Sequence, residues 1–522
     1  MINPYYSQKK KYYSFYSPAA PLGLMYLAAY LKKHGLASKV VETGIFEIEK
    51  AIVRGGRVRF GLSDKQIRKI LARERPKLVG ITSMYSVYFG DVMEIAQTIK
   101  KFDRNIKVAV GGNHPSSYYR QVLKDKNIDF VVIGEGERTL AELVQAVLAG
   151  KRSFDTIKGL AFRRGGGVTV TGARELIADL DEVHLPAREL VDFEKYLVTA
   201  EMQPYLMRYP ATSLVTSRGC PGRCVYCTVK AVWGRTWLGR SPKNVVDEIE
   251  ELMSKHGIRE VAFFDDSASV NKRRWSEICD EIIKRKLDIK WSTPNGIAHW
   301  TLDKKLIKKM KQAGCYRITF GIESGNVQTR EFLGKPYALN QAKELIQYAN
   351  SIGMWTICTN IIGFPYESLS SMEDTIEFAK KSGTDFAAFY LLIPQPTSEV
   401  YGFFKKEGLL NFDRFFEDLK INRDEFEKIN YVLNETGSDT KFFKKEELRE
   451  IQKKAYREFI VYRALSYLIK PVRLLQKVRS REDLGYLLKL ARQGIKIFWR
   501  TVNPTNLKSS DFIYSKGALK KR

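Results

Sequence analysis

The stretch from Thr216 to Lys230, "TSRGCPGRCVYCTVK", sets Cys220, Cys224 and Cys227 four and then three residues apart. The 522-residue chain holds six cysteines, so half of them fall within eight residues. A closed structural zinc site takes four protein ligands, commonly from C-x2-C pairs. No fourth cysteine or histidine stands within reach of this loop in sequence. A thiolate-bound 4Fe–4S cluster also takes four ligands. Three thiolates would leave one iron open, and an open metal position admits a substrate or cosubstrate. Gly219, Pro221 and Gly222 suit backbone wrapped closely around such a group. Cys279, Cys315 and Cys358 are scattered singly and read as small buried hydrophobes.

The loop follows "TSLVTS", the first of six expected strands between about 211 and 393. The others are "EVAFFDD", "IKWSTPN", "YRITFGI", "WTICTNI" and "DFAAFYLLI", separated by helical stretches such as "SPKNVVDEIEELMSKHG" and "DKKLIKKMKQAG". Six successive β/α units predict an open, partial (β/α)6 barrel over 206–400, with its chemistry at the carboxyl ends of the strands. The cysteine loop sits at the first of those ends.

Residues 1–150 show the same alternation, with strands "INPYY", "SKVVET", "KLVGITS", "KVAVGG" and "DFVVIG". Strands alternating with helices of this length predict a doubly wound parallel sheet, whose ligand crevice lies beyond the carboxyl ends of its strands. The residues at those ends are Thr82, Ser83, Gly111, Gly112, Asn113, His114, Pro115, Gly134, Glu135, Gly136 and Glu137. Paired glycines let backbone approach a flat or phosphate-bearing ligand, although tight turns need glycine too. Residues 151–205 read as a connecting hairpin, "KGLAFRRGGGVTVT", and a linker.

Residues 401–522 read as a basic helical region. Its strongest run, "KKEELREIQKKAYREFIVYRALSYLIKPVRLLQKV", is interrupted at Pro471. Phe459, Ile460, Leu465, Leu468 and Ile469 are interleaved there with Arg457, Arg463, Lys470 and Arg473. Such a helix can lie in a membrane interface or pack on the barrel with its basic face in water. The formal net charge is +28, and from Lys441 to Arg522 there are 22 Lys and Arg against 7 Asp and Glu. That excess favours an anionic surface or substrate nearby, or a solvated basic tail. No run reaches the roughly 18 apolar residues of a membrane span, and the start "MINPYYSQKKKYY" lacks a signal-peptide core. With so few cysteines, the expectation is a soluble, reducing, cytoplasmic setting.

"CPGRCVYC" resembles the C-x3-C-x-aromatic-C loop of radical S-adenosyl-L-methionine (SAM) enzymes, with Tyr226 as the aromatic. The resemblance implies a 4Fe–4S cluster on Cys220, Cys224 and Cys227, whose open iron is chelated by the amino and carboxylate groups of SAM. Reduction by an external electron donor then yields a 5′-deoxyadenosyl radical. "FFDDSASVN" resembles the family's SAM-amino-binding segment, implicating Asp265 and Asp266. "FGIESGN" resembles the ribose segment, with Glu323 and Ser324, and "NIIGFPYES" the adenine-lining segment, with Gly363 and Pro365. Read singly, each carboxylate could merely cap the following helix.

The amino-terminal half, through "PLGLMYLAAYLKKHG", "GGNHPSS" and "DFVVIGEGERTL", resembles the cobalamin-binding domain that precedes this barrel in one large subgroup. The implied fold is a Rossmann-like cobalamin-binding domain, a partial (β/α)6 radical SAM barrel and an α-helical carboxyl-terminal region. The D-x-H-x-x-G motif of the wider cobalamin-binding class is absent: none of His34, His114, His184, His256 and His299 has Asp two before and Gly three after. "WSTPNGIAHW" also departs from relatives that carry arginine after the asparagine, where Gly296 stands.

The resemblance implies chemistry at an unactivated carbon, foremost C-methylation, with oxidative cyclisation or another radical rearrangement of a lipid or tetrapyrrole as the alternative. The basic carboxyl-terminal helices favour a hydrophobic or lipid-like substrate and peripheral contact with the inner membrane face. A tRNA methylthiotransferase would carry three further cysteines before Cys220, and none is present. A basic nucleic-acid-binding protein with a structural metal would leave the ordered Asp266, Glu323 and Gly363 segments unexplained.

Overall fold

Short runs rich in Val and Ile, spaced by amphipathic helices, become parallel strands because helices can then bury both faces of the sheet. In the computed structural model, which describes residues 1–9, 20–45, 52–54, 57–200, 206–335, 337–410 and 438–502, the first sheet has this form. Strands β1 (Ile2–Asn3), β2 (Val41–Glu42), β3 (Leu78–Thr82), β4 (Lys107–Gly111) and β5 (Phe130–Val132) run parallel in the order β2-β1-β3-β4-β5. The direction of winding reverses between β1 and β3, which is where doubly wound sheets open a ligand crevice. Ile81, Val108, Val110 and Val131 are buried with Phe89, Val92 and Ile95 of the helix Phe89–Phe102.

The expected hairpin forms as β6 (Leu160–Arg164) and β7 (Gly167–Val170), but it extends this sheet instead of linking two domains. β6 pairs antiparallel with β5, placing Phe162 opposite Phe130. Leu160 and Phe162 bury with Phe130 and Leu143, which explains why the sheet continues beyond residue 150. A small antiparallel sheet of Tyr6–Lys9, Arg57–Phe60 and Ile52–Arg54 adds to this half without an alternating pattern to announce it.

The barrel comprises β8 (Ala211–Leu214), β9 (Glu260–Phe263), β10 (Lys290–Ile297), β11 (Cys315–Glu323), β12 (Trp355–Ile362) and β13 (Phe386–Leu391). All six are parallel and neighbours follow chain order, as the sequence predicts. Phe263, Trp275 and Trp291 meet edge to face in its core. Cys279, Cys315 and Cys358 are buried free thiols there.

An open barrel leaves an edge strand, and an uncovered edge invites pairing with other chains. The helix Lys445–Ile469 covers β13. Phe389 N donates to Tyr456 Oη (3.1 Å) and Gln452 Nε2 donates to Phe389 O (2.6 Å). Leu448, Ala455 and Phe459 bury against Ile362, Met372 and Phe389, and Arg463 turns inward to donate to Lys380 O (3.1 Å). Below the edge, Lys477 Nζ meets Asp385 Oδ2 at 2.6 Å, both groups being buried, and Tyr467 Oη donates to Asp385 Oδ1 (2.7 Å). The helix Arg481–Val502 closes the floor with Tyr486 and Leu490 against Tyr316 and Trp355. Residues 411–437 and 503–522 of the expected helical region lie outside the described residues.

Removing one member of a buried ion pair strands the other charge. Lys477→Met should therefore destabilise the barrel by roughly 3–5 kcal/mol, read as a lower thermal midpoint. The double variant Asp385→Asn, Lys477→Met should lose less than the single one, because neither buried charge remains.

Candidate active site

After β8 the chain does not run straight into a loop. Ser217–Gly219 pairs antiparallel with Trp237–Gly239, so the cysteines sit at the tip of a two-stranded ribbon. Gly219 has φ +81°, and a Cβ there would lie 2.2 Å from Thr236 O, so only glycine closes the ribbon. At the tip, Gly222 N donates to Cys220 Sγ (3.4 Å). A Cβ on Gly222 would stand 3.2 Å from Cys220 Sγ and 3.8 Å from Cys224 Sγ, intruding between the thiols. The ribbon is pinned from the barrel side, with Val225 N donating to Leu333 O (3.2 Å) and Val400 N donating to Val225 O (2.9 Å). Burial pushes the Cys224 and Cys227 thiols up, that of Cys227 to about 11, so the protein alone does not hold them as thiolates. Ligation to iron would do so. Among the described residues, no group of three or more His, Cys, Asp or Glu side chains is gathered closely enough to hold a single metal ion.

Two residues before Cys220, Arg218 ties the ribbon to the first sheet. Its Nη1 meets Glu135 Oε1 at 2.7 Å and its Nη2 meets Glu137 Oε1 at 2.6 Å, with all three side chains mostly or wholly buried. The guanidinium carbon lies 5.7 Å from the Tyr26 ring centre and 5.6 Å from that of Trp233. Glu135 Oε2 accepts from Ile177 N (2.6 Å), so both carboxylate oxygens are engaged by protein. The sequence reading places Glu135 against a cofactor; the structure makes it one half of a clamp. A second tie lies beside it, where buried Glu248 accepts from Arg240 Nη1 and Arg188 Nη2, each at 2.5 Å.

The two aspartates after β9 divide their work. Asp265 is buried, and its Oδ1 accepts from Thr216 N (3.0 Å), Thr216 Oγ1 (2.8 Å) and Ser217 Oγ (2.5 Å), so it anchors the ribbon. Its Oδ2 is buried with no hydrogen-bond partner among the described residues. Asp266 accepts from Gly219 N (3.1 Å) and faces a cavity near Cys227.

Glu323, at the end of β11, has φ +64°, strained for a residue with a side chain. Its Oε1 meets the buried Lys335 Nζ at 2.9 Å. Burial works against the Lys335 ammonium, but Glu323, Tyr226 and Tyr337 outweigh it and hold Lys335 charged beside Cys224. Ser324 is turned away, its Oγ lying 3.1 Å from Thr375 Oγ1 and accepting from Asn326 N (3.1 Å). Gly363, with φ +97°, begins a loop stapled by Glu367, whose Oε2 accepts from Gly363 N (2.8 Å) and Phe364 N (3.1 Å). Pro365 O accepts from Lys441 N (3.0 Å). At Gly296 the chain has φ +95° within an irregularly paired stretch of β10.

A cavity of about 410 Å³ joins the two halves. On one side it is walled by Thr82, Gly111, Gly112, Asn113, Gly134 and Glu135, on the other by Ser217, Arg218, Val232, Trp233 and Asp266. Gly112 has φ +116°, and a Cβ there would lie 2.6 Å from Ser83 O. The buried Asn113 Oδ1 has no hydrogen-bond partner among the described residues. Ser83 and His114 are not on this wall. Ser83 N donates to Gly111 O (2.8 Å), and the His114 ring lies against Phe89 and Tyr118 with Nδ1 2.9 Å from Ser86 Oγ. Burial holds His114 neutral, with its pKa down at about 3.

The radical SAM superfamily profile matches residues 214–379, and the B12 binding domain profile matches residues 13–144. An uncharacterized methyltransferase of Pyrococcus horikoshii is 31% identical over 476 residues, covering 91% of this chain and 93% of that protein. The chain belongs to the cobalamin-binding radical SAM family. It is a radical SAM enzyme whose cofactors are a 4Fe–4S cluster, SAM and cobalamin, acting on a small molecule with an external electron donor. The cytidylyl-2-hydroxyethylphosphonate methyltransferase of Streptomyces wedmorensis is 30% identical over 449 residues, covering 77% of this chain and 84% of that protein. The solved radical SAM methyltransferase TsrM of Kitasatospora setae, with cobalamin and a [4Fe-4S] cluster bound, shares the fold at a TM-score of 0.67. That likeness extends over 88% of each chain at 17% identity.

The residues present fit these groups. Three thiols with a glycine between them suit a cluster, an open carboxylate near Cys227 suits an ammonium, and a side-chain-free glycine wall with an unpaired Asn113 oxygen suits a broad amide-bearing ring.

Gly112→Ala should cost roughly 1–3 kcal/mol from its φ alone, and more from the contact with Ser83 O. Gly111→Ala, whose methyl group would meet Val132 Cβ at 3.6 Å, should melt close to the parent. Arg218→Met leaves Glu135 and Glu137 buried without their cation. Burial already raises the Glu135 carboxyl, and the variant should raise it further. A raised folded-state pKa makes the folded form bind protons more readily, so the deficit should be largest near pH 8 and shrink towards pH 5. Thermal midpoints across that range check the sign.

Proposed function

We propose that this radical SAM enzyme C-methylates an unactivated carbon of a hydrophobic, lipid-like small molecule inside the cavity between its two β/α halves. In this reading Cys220, Cys224 and Cys227 ligate the cluster, and Asp266 accepts from the SAM ammonium. Glu323, tethered by Lys335, faces the ribose, and the backbone from Gly363 to Pro365 lines the adenine. Thr82, Gly111, Gly112, Asn113 and Gly134 form the wall against which cobalamin lies. The observation that carries the reading is that one cavity is shared by the Thr82, Gly111, Gly112, Asn113 and Gly134 strand ends, by Asp266, and by Ser217 and Arg218 of the ribbon that carries the cysteines.

When bound, cluster and SAM supply a 5′-deoxyadenosyl radical, and cobalamin supplies a transferable methyl group. The chain's own residues orient these groups and keep water out. Tyr26, Val232 and Trp233 give the cavity apolar walls. Met84 and Phe264, which line the cavity and remain exposed, offer apolar surface to a substrate and support a hydrophobic one. Peripheral contact with an anionic membrane through the carboxyl-terminal helices, on its cytoplasmic face, belongs to the same proposal. Among the described residues, no helix is long and apolar enough to cross a membrane.

Anaerobic reconstitution with iron, sulfide and hydroxocobalamin, followed by reduction in the presence of SAM, tests the reaction. Methyl transfer should give 5′-deoxyadenosine together with S-adenosylhomocysteine. 5′-Deoxyadenosine alone would point to cyclisation or rearrangement. Cys224→Ala should abolish both products and the cluster's absorbance while leaving the thermal midpoint near that of the parent.

A further inference from the structure

The helix Lys445–Ile469 has one face buried on the barrel, through Leu448, Ala455 and Phe459. An outward face is ordinarily polar, and from Val461 to the end of this helix it is largely apolar. Val461, Leu465 and Leu468 follow one another four and three residues apart, so they stand on one side of the helix. Ile469 and, past Pro471, Val472 and Leu475 continue the exposure. Leu468, Ile469, Val472 and Leu475 are 77%, 75%, 58% and 68% exposed. Single exposed apolar side chains are ordinary, but six within fifteen consecutive residues make a patch that marks an interaction surface.

Charge indicates what covers it. Between Glu458 and Glu482 the chain contains no Asp or Glu, while Lys470, Arg473, Arg479 and Arg481 are exposed around the patch. Apolar tips flanked by cations, in a run of sequence without Asp or Glu, match a lipid interface, where the tips sink below headgroups whose negative charge the cations meet.

The patch also has a place along the barrel. Leu448, near the start of the helix, lies against Gly363 at the mouth, whereas Tyr467 and Lys477 bond Asp385 at the opposite end of β13. The exposed segment is therefore at the floor.

We propose that residues 461–475 dock the enzyme on an anionic bilayer with the barrel floor against the membrane and the mouth turned to water. This deepens the peripheral contact proposed above, on which it rests, and makes the membrane an anchor and not the doorway to the cavity.

Flotation of the full-length protein with phosphatidylcholine vesicles, with and without phosphatidylglycerol, tests it. The parent should float only with the anionic vesicles and be released by high salt. Leu468→Glu with Ile469→Glu should reduce the bound fraction by about tenfold or more, at an unchanged thermal midpoint because both side chains point outward. Lys470→Glu with Arg473→Glu should release the protein from anionic vesicles while leaving the apolar tips intact. A parent that stays unbound with both vesicle types would overturn the proposal. So would a concentration-dependent dimer in sedimentation that Leu468→Glu with Ile469→Glu abolishes, since a second copy would then cover the patch. Flotation needs no turnover, so its failure and that of methyl transfer are separately visible.

Discussion

The site depends on one buried contact, the guanidinium of Arg218 held by Glu135 and Glu137. The carboxylates stand at the end of the first sheet, and the arginine stands two residues before the first cysteine. The contact therefore fixes the separation between the wall assigned to cobalamin and the loop assigned to the cluster. A buried ion pair adds little net stability over apolar packing, because desolvation offsets most of its attraction. What it supplies is registry, since only one relative placement of the halves pairs all three charges. The Tyr26 and Trp233 rings beside the guanidinium exclude water and strengthen that preference.

Around this contact the strand ends carry two kinds of group. Some are bound to backbone or side chains of the protein and hold shape: Asp265 on the ribbon, Ser324 on Thr375, Glu367 on the Gly363 loop. Others keep capacity, above all Asp266, which lines the cavity, and the buried Asn113 oxygen. Glycine appears where backbone must pass backbone. A methyl group at Gly112 would meet Ser83 O, and one at Gly219 would meet Thr236 O.

The barrel and the doubly wound sheet were legible because the two periods, strand then helix, are local. The cysteine trio was legible because its three thiols share one loop. Arg218 was not, since its partners lie 83 and 81 residues upstream and no local pattern links them. His114 and Ser83 show the converse limit. A strand-end position is visible in sequence, but whether a side chain faces the crevice or a neighbouring helix depends on packing. Lys335 was missed because its signal, a lone lysine after a helix-ending glycine, is commonplace on surfaces. In the carboxyl-terminal run the alternation of apolar and basic residues left open which side chains pack on the barrel and which stay outside. Phe459 and Arg463 seal the barrel edge, while Leu465 and Leu468 face outward.

The account's central claim is that cluster and cobalamin share one cavity. Electron paramagnetic resonance of protein loaded with both the cluster and cob(II)alamin, and then partly reduced, tests it most directly. The account predicts that the two paramagnetic centres interact, so that the spectrum differs from the sum of those recorded with each cofactor alone. A spectrum equal to that sum, with both cofactors bound in full, would contradict it.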